Sequence, residues 1–274
     1  MLRLTAARVA LPDGRDADQY PFDVAAVRAL ATLPAGLAFD RPVTCFVGEN
    51  GSGKSTLLEG LAVAAGLPAV GSEDLPRDPT LAPARALARR LKLTWTMKAD
   101  RGFFLRAEDF FGFAKRLARE RAEMEQELKE LEAEYTAKDR SPYALGLAQG
   151  PLRGSLGEMT RRYGRDLDAR SHGESFLTLF HARLVPDGLF LLDEPESALS
   201  PQRQLGLLAM MKEYVGRGAQ FVVATHAPIL LAYPGARLYS FDEHPPRATD
   251  FDELEHVRLT RDFLAAPERF LRHL

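Results

Sequence analysis

The sequence has a single cysteine, Cys45, in 274 residues. No intramolecular disulfide can form, and a chain of this length buries a sizeable core without one. Scarce cysteine fits a reducing compartment, so the cytoplasm is the expected location. Long apolar runs are also absent. A membrane-crossing helix needs roughly 20 apolar residues. The best stretch, Phe221 to Tyr233, is shorter and is broken by His226 and Pro228. The first residues spread their charges with no apolar block, unlike a secretory leader. Charge of one sign is missing too: 36 basic residues face 38 acidic ones, for a formal net charge of −2. That excludes a global basic footprint for nucleic acid and leaves only local patches. No internal repeat or low-complexity segment occurs. What is present, 46% hydrophobic and 27% charged residues, is the balance of a soluble globular protein.

Short apolar runs punctuated by turn residues mark the strands. They are expected at Leu2 to Leu11, Leu37 to Phe39, Val43 to Val47, Leu91 to Met97, Gly102 to Arg106, Leu189 to Leu192, Gln220 to Thr225 and Arg237 to Phe241. The runs at 91–97 and 102–106 read as two strands joined by a turn at Ala99-Asp100-Arg101. Helical spacing is expected at Phe22 to Leu33, Ser55 to Ala65, Ala84 to Arg90, Glu174 to Arg183, Gln202 to Val215 and in the tail from Asp252. Gly66 to Pro83 reads as a loop. Gly146 to Arg170 is glycine-rich, with Arg161, Arg162 and Arg165 in its second half. Strands alternating with helices argue an α/β fold with a mostly parallel sheet.

One segment is unusual. Phe110, Ala114, Leu117, Arg121, Met124, Leu128, Leu131 and Tyr135 alternate by four and three on a highly charged background, which is a heptad stripe. About 26 residues at 1.5 Å rise give a helix of roughly 40 Å. Two readings stand: an amphipathic helix lying on its own domain, or an arm that pairs with a partner helix.

Two motifs carry chemistry. Gly48-Glu49-Asn50-Gly51-Ser52-Gly53-Lys54-Ser55 satisfies G-x-x-x-x-G-K-[ST], with an apolar strand before it and a helix after. Glycines let successive backbone N–H groups turn toward one anion, and the helix offers its positive N-terminus. The expected phosphate-binding residues are Asn50, Gly51, Ser52, Gly53, Lys54, Ser55 and Thr56. Lys54 would reach the outer phosphates of a nucleotide, and the Ser55 hydroxyl would bind Mg²⁺. The second motif is the apolar strand Leu189 to Leu192, which ends in Asp193-Glu194-Pro195. Two carboxylates at the end of a buried strand are costly unless a cation or a water-filled site receives them. Asp193 would hold Mg²⁺, and Glu194 would act as general base toward the attacking water.

Five elements occur in fixed order: 48–55, Ser171-His172-Gly173-Glu174, Asp193-Glu194-Pro195, Ser197-Ala198-Leu199-Ser200 and Thr225-His226. Together they resemble the ATP-binding-cassette ATPases, most nearly the soluble RecF-like and SMC-like heads and the related stand-alone ATPases of prokaryotes. The resemblance spans Val43 to Pro228. It implies a P-loop NTPase fold of ABC-ATPase type, with a mostly parallel sheet flanked by helices, an antiparallel β part and a helical insertion at about 109–140. The whole chain, 1–274, would be a single ATPase domain.

The implied cofactors are ATP and Mg²⁺, and the implied partner is a second copy in an ATP-dependent homodimer. Ser171 and Gly173 resemble the signature residues that bind the γ-phosphate held by the opposite protomer. Ser197 to Ser200 resembles the loop running between protomers, and His226 the histidine that senses the γ-phosphate. The catalytic set would be Lys54, Glu194 and His226.

The sequence departs from the family pattern twice. His172 stands where the signature commonly has glycine, and no glutamine lies between Lys54 and Gln126. Glu108 is the positional candidate for the missing metal-contacting glutamine, with a helix-start carboxylate as the alternative reading.

DNA maintenance, repair or phage defence is the first biological reading, with DNA or an unidentified protein as partner. The clusters Arg85, Arg89, Arg90, Lys92 and Arg116, Arg119, Arg121 would contact phosphate backbone; a solvated helix face is the alternative for each. A transporter's ATPase subunit, or an ATP-gated clamp with little turnover, are the other readings. A ring-forming AAA+ motor is disfavoured because a signature ahead of Asp193 has no place in that class. Tyr20 and Phe22 are candidates for base stacking, against ordinary core packing.

Overall fold

A computed structural model describes residues 2–70, 81–163 and 172–272. Its centre is a seven-stranded sheet ordered β10-β9-β3-β8-β7-β6-β4. These strands are Arg247–Thr249 (β10), Arg237–Ser240 (β9), Val43–Val47 (β3), Gln220–Ala224 (β8), Leu189–Asp193 (β7), Gly102–Arg106 (β6) and Ala69–Val70 (β4). All neighbours run parallel except β10 against β9. Every residue of β3, β7 and β8 is buried. That is why they read as largely apolar runs: a parallel sheet covered on both faces has no polar side.

Alternate side chains supply two separate cores. Leu189, Leu191 and Val222 pack with Phe46, Phe104 and the helix Lys54–Ala65 (α2) on one face. Phe190, Leu192 and Val223 pack with the helices His172–Arg183 (α6) and Pro201–Val215 (α7) on the other. Phe103 meets Phe180 edge-on at 5.5 Å, and Phe110 meets Phe176 at 5.1 Å.

A second sheet, order β2-β1-β5, is antiparallel and joins Leu37–Ala38, Leu4–Val9 and Leu91–Trp95. The expected strand pair at 91–97 and 102–106 is therefore split. β5 pairs with β1, whereas β6 enters the large sheet between β4 and β7. The burial patterns show why. β5 alternates between exposed and half-buried, while the centre of β6 is wholly buried. Phe103-Phe104-Leu105 needs cover on both faces, and a surface hairpin cannot give it.

One residue fastens the small sheet to the large one. Gln220 opens β8 and is 1% exposed. Its Oε1 accepts the backbone N–H groups of Arg3 at 3.1 Å and Leu4 at 2.9 Å, and its Nε2 donates to the Leu4 carbonyl at 2.8 Å. Each such bond contributes about 1 kcal/mol, and a buried group left unpaired costs about 1–3 kcal/mol. Gln220→Ala is thus expected to lower unfolding free energy by about 2–4 kcal/mol, read as a lower urea midpoint.

The heptad stripe forms a helix, Ala107–Ala137 (α4). Its partner is Pro142–Tyr163 (α5), which folds back antiparallel in the same chain. Gln149 Nε2 donates to the Leu128 carbonyl at 3.3 Å, and Arg121 donates to Thr160 Oγ1. That second bond explains the arginine inside the stripe. Among the described residues no helix is long and apolar enough to cross a membrane.

The remaining helices are Ala25–Ala31 (α1), Ala82–Ala88 (α3), Pro228–Leu231 (α8), Glu255–Ala265 (α9) and Pro267–Leu271 (α10). Helix α3 begins within what reads in the sequence as the end of a loop, and Ala69–Val70 lies within its start.

Candidate functional site

One register row sets out the site. Phe46 pairs with Ala224, Ala224 with Asp193, and Asp193 with Arg106. The residues just beyond these positions, 48–55, Thr225-His226 and Glu194, therefore leave the sheet at one carboxyl edge. Open α/β sheets bind ligands at that edge.

The loop after β3 needs glycine in two places. Gly53 has φ +97, and a Cβ there would lie 2.7 Å from Val24 Cγ1. Gly48 has φ +149, and a Cβ would lie 2.8 Å from Asp242 Oδ1. Asp242 lies just after β9 and accepts the Glu49 backbone N–H at 2.7 Å, which pins the first turn of the loop. Asn50 and Gly51 form the exposed crest. Helix α2 starts at Lys54 with no side-chain cap, so its first N–H groups are available to an anion.

Lys54 is 4% exposed. Its ammonium donates to the Gly48 carbonyl at 2.7 Å and the Glu49 carbonyl at 2.8 Å, and it lies 3.4 Å from Ser52 Oγ. Burial pulls its pKa down, against the pull of Glu194 and Asp193. Ser55 Oγ donates to Asp193 Oδ1 at 3.0 Å. Burial pushes the Asp193 carboxyl up to about 7, with the Ser55 hydrogen bond opposing and the Glu194 charge adding. Arg106 answers Glu59 on α2 at 3.1 Å beside it.

Glu194 holds φ 45 and ψ 49, the left-handed region, at the start of the 3₁₀ turn Pro195–Ala198. A non-glycine residue there carries about 1–3 kcal/mol of strain, and such strain concentrates at functional positions. The Glu194 backbone N–H is tied to the Ala224 carbonyl at 2.9 Å. His226 Nε2 lies 3.8 Å from Glu194 Oε1. Burial first, then the Lys54 charge, lowers the pKa of His226. The His226 backbone N–H donates to Glu196 Oε1 at 2.7 Å, locking the turn after β8 to the turn after β7. Burial raises the Glu196 carboxyl.

The structure thus brings together Lys54, Ser55, Asp193, Glu194 and His226. Thr56 Oγ1 lies 3.3 Å from the Tyr20 hydroxyl, and Tyr20 is 54% exposed. Phe22 is buried in the core, so of the two aromatic candidates only Tyr20 is open to a ligand. Ser171 lies outside the described residues. Gly173 sits in the first turn of α6, which starts at His172. Glu108 sits in the first turn of α4, and its side chain lies outside the described part of the chain. Sequence reasoning missed Asp242 and Glu196. Both are ordinary acids beside strand ends, and only the folded register reveals their N–H partners.

A hydroxyl and a carboxylate held together are hard oxygen donors of the kind Mg²⁺ takes. A buried carboxyl raised to about 7 is one that a cation would stabilise in its ionised form. The residues present therefore fit that ion. Among the described residues no group of three or more His, Cys, Asp and Glu is placed to hold a metal. The remaining ligands would come from phosphate and water.

Two family models match in part. One, described as "AAA domain", covers residues 34–77; the other, described as "AAA domain, putative AbiEii toxin, Type IV TA system", covers 175–232. No curated protein matches the chain in sequence. Among solved structures, a nucleotide-free ATP-binding cassette from an ABC transporter is 16% identical, with TM-score 0.45 over 92% of this chain and 94% of that one. CbiO1 of Clostridium perfringens, part of the transporter complex CbiONQ, is 15% identical, with TM-score 0.43 over 87% and 90%. An Smc head domain from Pyrococcus furiosus, bound to the C-terminal domain of ScpA, is 12% identical, with TM-score 0.40 over 83% and 94%. The two matched segments contain the P-loop, Asp193, Glu194 and His226. Those two segments, with the motif residues gathered at one carboxyl edge of a mostly parallel sheet, support a P-loop ATPase of the ABC type.

Proposed function

We propose that the protein binds and hydrolyses Mg-ATP, and that two copies close head-to-tail around two nucleotides. The observation that carries this reading is the joined set Lys54, Ser55–Asp193 and Glu194–His226 at one sheet edge. The loop N–H groups and the α2 N-terminus hold the phosphates. Lys54 exchanges its loop carbonyls for phosphate oxygens. Ser55 and Asp193 would hold Mg²⁺, which supplies charge neutralisation at the outer phosphates. Glu194 accepts a proton from the attacking water, and His226 contacts the γ-phosphate. Tyr20 stacks on the base. Ser171 and Gly173 of one protomer complete the site of its partner, and Glu108 is the candidate for the further metal contact. The chain acts as one ATPase domain, 1–274, with the segment at about 109–140 as its arm, in the cytoplasm. The test is the mass of Glu194→Gln with and without Mg-ATP by light scattering.

We place the ATP cycle in DNA maintenance, repair or phage defence. The family description matched over 175–232, with its toxin and type IV TA system, favours the defence side. Arg116, Arg119 and Arg121 each face a glutamate one turn on, at 3.6–3.8 Å, so that cluster is largely self-neutralised. The other cluster gains a member: Lys92 lies directly across from Arg8 on β1, both exposed, with Arg89 and Arg90 exposed just before β5. Like charges in register are unfavourable unless something anionic meets them. Duplex DNA is expected to bind in a salt-dependent manner. Arg8→Glu with Lys92→Glu should weaken that binding at least tenfold, or about 1.4 kcal/mol, with basal ATP turnover unchanged. No binding at low salt would remove DNA as the partner.

A further inference from the structure

A second histidine shares the P-loop cleft. His256, in the first turn of α9, lines the same cleft of about 960 Å³ as residues 48–52 and His226. Nε2 of His226 and Nε2 of His256 are both closed to solvent, and neither has a hydrogen-bond partner. Buried polar atoms are almost always paired, so two orphans in one cleft need a reason. Asp242 acts electrostatically on both rings and already accepts the Glu49 N–H of the P-loop. Resting on the ATP-binding reading above, we propose that His256 is a positioning residue for His226, and that the two imidazoles together take up one proton when a terminal phosphate enters the cleft.

Burial lowers the pKa of both rings, and the charge of His226 lowers that of His256 further. Burial favours the neutral form of both rings, and a charge on one opposes a charge on the other. Lys54 and Glu194 also face His226, from the P-loop and from the turn after β7. Glu243, His244 and Arg247 line the rim after β9, Glu253, Glu255 and Arg258 line it on the α9 side, and Glu49 lines it on the loop; the acids and bases there partly offset one another. An incoming phosphate adds negative charge beside His226 and favours an imidazolium. The proton comes from solvent. His226 then donates to the phosphate, and its charge disfavours a second proton on His256 across the same cleft. Helix α9 is thereby linked to the presence of the last phosphate. Because the bound state carries the extra proton, affinity for a nucleotide with a γ-phosphate rises as pH falls from neutrality.

The test compares the affinities of AMP-PNP and ADP, with Mg²⁺, from pH 8 to pH 6 in wild type, His256→Gln and His256→Asn. The nucleotide's own titration is common to all three proteins. Uptake of one proton changes affinity by up to about tenfold per pH unit. Wild type should gain AMP-PNP affinity on acidification at least threefold more than either variant, with ADP alike in all three. Superimposable pH profiles overturn the proposal. So does an equal loss for ADP and AMP-PNP at every pH, which marks a packing role. A wild type that binds neither nucleotide overturns the ATP-binding reading itself.

Discussion

Replacing Glu194 with glutamine is expected to lower ATP turnover by about 10²–10⁴-fold, the range that a positioned general base contributes. Glutamine keeps the volume and removes only the proton acceptor. It meets the same left-handed backbone as glutamate, so folding should not change. ATP should still bind, because the substitution leaves in place the loop N–H groups and Lys54 proposed to hold the phosphates and the Ser55–Asp193 pair proposed to hold Mg²⁺. The trapped nucleotide should hold two copies together. Light scattering on the 30.3 kDa chain should give monomer without nucleotide and dimer with Mg-ATP. Turnover equal to wild type would remove the base assignment. Monomer under both conditions would remove the composite site.

Lys54→Ala should be more severe at the binding step. Its ammonium is buried and already desolvated, and it is held by the Gly48 and Glu49 carbonyls. A phosphate that replaces those carbonyls meets a charge already largely withdrawn from water, where electrostatic attraction is stronger than in solvent. Alanine removes the charge and the ammonium's bonds to both carbonyls, of which that of Glu49 still accepts the Ser52 N–H at 3.2 Å. ATP affinity is expected to fall by at least 100-fold, about 2.7 kcal/mol, as read by calorimetry. Thermal stability without nucleotide should change much less, because the variant also sheds a costly buried cation. Affinity within threefold of wild type would remove Lys54 from the phosphate site.

The parallel sheet was legible because its central strands are buried on both faces and are mostly apolar. Val43 to Val47 and Leu189 to Leu192 announce themselves by composition and by the motif at the end of each. Helix α5 was not legible. Gly146, Gly150, Gly154, Gly157 and Pro151 all lie inside it, and each weakens a helix on its own. None of the four glycines meets a neighbour where a Cβ would stand, so close packing does not explain them. The compensating signal is the spacing of Leu145, Leu152, Leu156, Met159 and Tyr163, which faces the α4 stripe. Packing against α4 outweighs the local preference. The placement of β5 and β6 was hidden for another reason. Sequence proximity suggests a hairpin, and only cover on both faces of β6 forbids it. Within the site, the motif residues stood out by pattern. Asp242, Glu196 and His256 did not, because each matters only through a register that joins distant strands.

The α4–α5 hairpin has a consequence for how such a chain can vary. The two helices run antiparallel, and the turn at 138–141 lies at their far end from the sheet. Residues added or removed as matched turns there would alter reach without moving Arg106, Asp193 or the loop after β3. The entropy of closing a longer excursion grows only slowly with length. The hairpin is in that sense an adjustable ruler fixed to an invariant engine: evolution or design can reset its span turn by turn, and the chemistry at its base need not notice.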